Sequence, residues 1–218
     1  MQRPLLQTLG MFIVVVGLCP RPASTAEALH ATIDRMIREK HPDAPVAGIT
    51  DDAEFLRRVS LDFAGKIPTA DETRRFLADD SPDKRAVLID NLLTSSAFPR
   101  RMTDLFHVML MERRGGDDDA WREWLTTAFE QNVHWDELVL RILNPDADDE
   151  ANRAAAWFTT KRLDKYGQNA IDYPGLVRDV GRLFLGVDLQ CAECHDHLFV
   201  DEYKQVDFKG LFTVYQNT

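Results

Sequence analysis

Apolar residues in this chain recur at intervals of three and four rather than two, so the pattern predicts short amphipathic helices. Leu29, Ile33, Met36 and Ile37 make one stripe, closed by His41-Pro42 and Pro45. Asp51-x-x-Glu54 reads as a capping box opening a second helix with Phe55, Val59 and Phe63 on one side, and Gly65 ends it. Thr69-x-x-Glu72 opens a third. Ser81 before Pro82 reads as the N-cap of a fourth, whose buried side is Val87, Leu88, Leu92 and Leu93.

A fifth helix is predicted over Phe98 to Arg114, with Met102, Leu105, Phe106, Met109 and Leu110 as its stripe and Gly115-Gly116 as its stop. Asp117 to Asp119 then place negative charge ahead of Trp121, Trp124, Leu125 and Phe129, where a helix dipole favours it. The run lacks the alternating order of a calcium loop, so it reads as a cap. Trp135, Leu138, Val139 and Ile142 continue the pattern to Asn144-Pro145. Residues 146–172 read as a flexible acidic and polar connection. Tyr173-Pro174 restarts order, with Leu176, Val177, Val180, Leu183 and Phe184 on one face and Gly186 at the end.

The fold class is therefore mostly α: a bundle of short amphipathic helices with a C-terminal CxxCH segment. The predicted organisation is a signal peptide over 1–26, a helical bundle over 27–145, the connection over 146–172, and a motif segment over 173–218 packed on the same domain. The signal rests on Arg3, the apolar run from Leu5 to Leu18 and the small residues Ser24-Thr25-Ala26. It predicts an exported chain, periplasmic or at the cell surface, with about 190 residues left after cleavage to build a core and no membrane association. Cys19 leaves with the signal. The formal net charge of -10 argues against nucleic-acid binding, which needs a basic face.

Against this background one motif stands out: Cys191-Ala192-Glu193-Cys194-His195. C-x-x-C-H is the attachment pattern of c-type haem. Two thiols separated by two residues add to the two vinyl groups of one porphyrin, and the next residue reaches the iron. The expectation is one covalent haem c held by Cys191, Cys194 and His195, with His195 proximal. The chemically able distal candidates are Met102, His107, Met109, Met111 and His134. Met102 and Met109 also fit an apolar stripe, and the two histidines also fit surface or hydrogen-bonded structural roles. Arg178 and Arg182, one turn apart, are candidate contacts for haem propionates or simply a solvated face.

Other chemistries use the same residues. Cys191, Cys194, His195 and His197 supply the sulfur and nitrogen ligands of a zinc site, and a subset could hold copper, although structural zinc sites draw on two separated pairs. Exported cysteines also form disulfides, and C-x-x-C is a redox dithiol spacing, which Glu193 opposes electrostatically. No G-x-S-x-G elbow, H-E-x-x-H helix or P-loop occurs, so electron transfer with a redox partner protein is expected ahead of catalysis.

Several stretches form a longer pattern: Phe55-Leu56-Arg57-Arg58-Val59-Ser60-Leu61-Asp62, Ile67-Pro68-Thr69 with Phe76-Leu77-Ala78-Asp79, and Leu88-Ile89-Asp90-Asn91-Leu92-Leu93. The pattern is strongest from Phe184 through Cys191 and Cys194 to His197, continued by Tyr203, Phe208 and Leu211-Phe212. In these stretches the chain resembles the planctomycete cytochrome-c-like domain of unknown function 1549 (PSCyt2 type). The resemblance implies a haem-binding motif. Family members are longer, with a further domain after this one, which implies a missing C-terminal domain here.

Overall fold

The structure is a computed structural model that describes residues 27–45, 47–112, 116–146, 148–164 and 171–216. The predicted signal, Cys19 included, lies outside these residues. The chain divides into two compact units, Met1–Ile49 and Thr50–Thr218. The first contains α1 (Leu29–Lys40), in which the predicted stripe of Leu29, Ile33, Met36 and Ile37 forms but is exposed.

The second unit holds α2 (Asp52–Ala64), α3 (Ala70–Ala78), α4 (Lys84–Leu93), α5 (Ala97–Met111), α6 (Asp119–Glu130), α7 (Trp135–Leu143), α8 (Trp157–Leu163), α9 (Tyr173–Val180) and α10 (Gln205–Gln216). Among the described residues there is no strand, and the fold is mostly α as expected. None of these helices is long and apolar enough to cross a membrane.

Local chemistry sets most boundaries. Asp51 caps α2 by accepting from the Glu54 N–H at 2.8 Å, and Gly65 ends the helix in the left-handed region at φ 71°. The Glu54 carboxylate does not complete a box; it takes Arg57 and Arg58 instead. These guanidinium hydrogen bonds, Arg57 first, hold its carboxyl down at about 2. Thr69 and Glu72 do form the full box on α3. Asp118 caps α6 through the Trp121 N–H, so the acidic run acts as a helix start.

Two expectations are corrected. Ser81 does not cap α4: Asp79 accepts the Ser81 N–H at 2.8 Å, the Ser81 carbonyl takes the Lys84 N–H in a turn, and the helix starts after Asp83. On α5 the buried residues are Pro99, Thr103, Leu110 and Met111, and Phe106 packs on the core as expected, while Leu105 and Met109 are 40% and 47% exposed. Thr103 turns inward because its hydroxyl pairs with that of Thr126 on α6 at 2.8 Å, a contact that hydropathy alone cannot rank.

α2 packs against α3, α4 and α5, and α5 against α6. The main core joins Leu110 and Met111 with Trp121, Trp124 and Leu125 of α6, Leu138 and Ile142 of α7, Phe158 of α8, and Leu176 and Val180 of α9. Each such side chain contributes about 1.5–3 kcal/mol by leaving water. Within the expected connection, residues 153–163 take part in this core. A 3-10 turn (Arg153–Ala156) runs into α8, and Ala155, Phe158 and Arg162 are fully buried. The Arg162 guanidinium lies over the Phe158 ring, bonds Asp179 of α9 at 3.0 Å and donates to the Leu110 carbonyl, as a buried charge requires.

Candidate functional site

α9 presents the motif. Asp172 caps it by accepting from the Gly175 N–H at 2.9 Å, and Pro174 stands in the first turn. Beyond Val180 the helix widens into a π turn (Gly181–Leu185) that Gly186 ends at φ 67°, where the sequence predicted a stop. The chain then doubles back close over Gly181. A Cβ on that glycine would lie 3.1 Å from the Val187 carbonyl oxygen and 3.2 Å from Leu189.

Leu189 and Ala192 insert into a second apolar cluster with Val177 of α9 and Phe208 of α10. Ala192, in the middle of the motif, is wholly buried and anchors it. Around it Cys191–Glu193 form a 3-10 turn, closed by hydrogen bonds from the Cys194 and His195 N–H groups to the Cys191 carbonyl. Glu193 pairs with Arg178 of α9. Gln205 of α10 donates through its amide to the Cys194 carbonyl at 2.7 Å and through its backbone N–H to Asp196 at 2.9 Å. The turn is thereby tied to two helices.

Both thiols are exposed and unpaired. His195 is exposed too, and its Nδ1 lies 2.7 Å from the Asp196 carbonyl oxygen. A carbonyl only accepts, so this bond places the proton on Nδ1 and leaves the Nε2 lone pair open, the arrangement that orients a ligating imidazole. His197 is the reverse. Its Nδ1 accepts the N–H groups of Phe199 at 3.2 Å and Val200 at 3.0 Å, which puts the proton of the neutral ring on Nε2. Its own N–H bonds the Tyr203 carbonyl at 2.8 Å, and Phe199 and Tyr203 flank the ring edge-on. His197 organises the loop.

The four-ligand zinc arrangement is not gathered: among the described residues no group of three or more His, Cys, Asp or Glu is placed to hold a metal ion. A covalent porphyrin asks something different of the site, two free thiols, one open imidazole nitrogen and an apolar flank. The residues present fit it. Leu198, Phe199 and Val206, which follow the motif in sequence, are 75%, 90% and 71% exposed.

The distal candidates are dispersed. Met111 is buried in the main core, Met102 is half-buried, and Met109 is half-exposed on α5. His107 is half-buried with Nδ1 lacking a hydrogen-bond partner among the described residues and Nε2 4.0 Å from Asp117; His134 is the exposed residue ahead of α7. None belongs to the cluster that anchors the motif. Arg178 is taken by Glu193, and Arg182 pairs with Glu112 at 2.7 Å and Asp179 at 3.2 Å. Ala192, Gly181 and Gln205 carried no signal in sequence, because burial, close approach and an amide contact each depend on the folded neighbours.

A family model described as a protein of unknown function (DUF1549, PSCyt2) matches residues 32–218. No curated protein and no solved structure matches the chain.

Proposed function

The chain belongs to the DUF1549 family of proteins of unknown function, and from that premise we propose that the Cys191–His195 turn carries one covalent c-type haem, used for electron transfer or redox sensing with a partner protein. The observation that carries the reading is the hydrogen bond from His195 Nδ1 to the Asp196 carbonyl beside two exposed free thiols. Cys191 and Cys194 would form the thioether links and His195 Nε2 would take the proximal position. The group when bound supplies a one-electron iron couple. The chain's own part is to hold the turn. Buried Ala192 fixes its depth, the Arg178–Glu193 pair and Gln205 fix its orientation, and Leu198, Phe199 and Val206 offer an apolar face.

Haem is joined to such motifs outside the cytoplasm, so export through residues 1–26 is part of the proposal. It names no distal ligand, since the five candidates are scattered over α5 and the start of α7. The test is the intact mass and absorption spectrum of the full chain made with the haem-attachment machinery. A haem mass increment with a reduced α-band, both lost on replacing Cys191 and Cys194 with alanine, is expected. A chain that carries neither would overturn the reading, and metal analysis of that sample would then assess zinc and copper. His195→Ala should keep the covalent mass but change the spectrum, because it removes the iron ligand and leaves both links.

A further inference from the structure

The loop that follows the motif is closed on itself. The His197 N–H donates to the Tyr203 carbonyl at 2.8 Å, the Tyr203 N–H donates to the Val200 carbonyl at 3.1 Å, and His197 Nδ1 accepts from the Phe199 and Val200 N–H groups. At its foot, Gln205 donates to the Cys194 carbonyl and to Asp196. Residues 197–203 are thereby held in register with the thiols and with His195.

What this ordered loop displays is apolar. Leu198 and Phe199 are largely exposed, whereas the neighbouring Val200 is half-buried. The smaller side chain takes the sheltered place and the aromatic ring is left in water. An aromatic side chain on a backbone already fixed by hydrogen bonds has little conformational entropy left to lose on docking, as the anchor residues of protein interfaces require.

Charge decides what kind of surface would cover it. From Asp196 to Lys209 four carboxylates outnumber two lysines. Lys204 lies 3.6 Å from Asp196, but Asp201 and Glu202, exposed in the same loop as the apolar pair, take part in no ion pair among the described residues. An anionic lipid surface is repelled by these two carboxylates, and a cationic rim is attracted.

We propose that residues 197–203 are the docking surface for a redox partner protein that presents an apolar patch ringed by lysine or arginine. Phe199 and Leu198 enter the patch, while Asp201 and Glu202 meet its rim. This rests on the haem reading and names the chemistry of the partner: an electron leaves a haem at its exposed edge, and this loop is tied to the residues that would hold the group.

The probe is a basic mitochondrial-type cytochrome c, whose haem edge is apolar and ringed by lysines, titrated by calorimetry into the full chain made with the haem-attachment machinery. Saturable binding is expected, about tenfold weaker when salt rises from about 0.01 to 0.15 M and at least about tenfold weaker when the lysines of the probe are acetylated. Phe199→Ser should weaken it about tenfold. Asp201→Asn with Glu202→Gln should remove most of the salt dependence. Haem mass and circular dichroism should stay unchanged in both variants, because the hydrogen bonds of the loop run through its backbone and His197. No saturable binding, equal binding of the acetylated probe, an unaffected Phe199→Ser protein, or adsorption to anionic phospholipid vesicles in preference to the probe would each overturn the docking surface. A chain that lacks haem yet binds the probe with these dependences sinks the haem reading and leaves the docking surface standing; a haem-loaded chain that does not bind does the reverse.

Discussion

Gly175 offers a sharp test of how α9 is held. It is buried in the first turn, and a Cβ there would sit 2.6 Å from Asp172 Cγ and closer still to Oδ2. Gly175→Ala therefore forces the capping carboxylate away from the N–H it accepts at 2.9 Å. Loss of the cap costs about 1 kcal/mol. Asp172 is only 5% exposed, and displacing its carboxylate from its partner adds about 1–3 kcal/mol. The better helix propensity of alanine returns about 1 kcal/mol. The net loss is about 2 kcal/mol, or roughly 4–8 °C in melting temperature for a unit of this size. Urea denaturation followed by tryptophan fluorescence measures it. The decisive comparison is made in an Asp172→Ala background, where the clash is gone. There Gly175→Ala should be neutral or mildly stabilising. A loss below about 0.5 kcal/mol in the native background, or the same loss in both backgrounds, would refute the steric argument.

Further outcomes follow from other contacts. Asn152 accepts the Trp124 indole N–H at 2.9 Å and Arg141 at 3.1 Å, so Asn152→Ala should cost about 2 kcal/mol in urea denaturation by leaving a buried donor without its acceptor. A change within 0.5 kcal/mol would show that another acceptor replaces it. The Glu54 carboxyl is held down at about 2, so its contribution is fully present above the ordinary value of 4.5 and is lost as pH falls towards 2. Glu54→Gln should therefore be less stable than the native chain at pH 6, with the gap closing as pH falls from 4.5 to 2; a gap independent of pH would contradict this.

The helices were legible where their determinants are local. Thr69 and Glu72, Asp118, Gly65 and Gly186 each act within four residues of themselves, and each was readable from the letters. What escaped depends on distant partners. Residues 146–172 read as a flexible acidic and polar connection, yet within it Arg162 is fully buried because Asp179 and the Leu110 carbonyl, 17 and 52 residues away, take its donors. Thr103 faces inward for Thr126, and Ser81 loses its cap to Asp79, for the same reason: a polar side chain follows the partner that the fold supplies.

The motif repeats this lesson at close range. As letters, His195 and His197 are interchangeable nitrogen donors two residues apart, and that equivalence is what made a four-ligand metal site arguable. The loop removes the equivalence. One Nδ1 faces a carbonyl oxygen and must donate; the other faces two N–H groups and must accept. Since a neutral imidazole carries one proton, the same backbone that folds the loop leaves an open Nε2 on His195 and a protonated one on His197. Converting His197 to asparagine, whose side-chain oxygen can accept the same N–H groups, should therefore preserve haem attachment in the experiment above, whereas a metal site built on all four side chains would lose a ligand. Retained spectra in His197→Asn alongside altered spectra in His195→Ala is the expected pair of results, and equal damage from both would count against the assignment of roles.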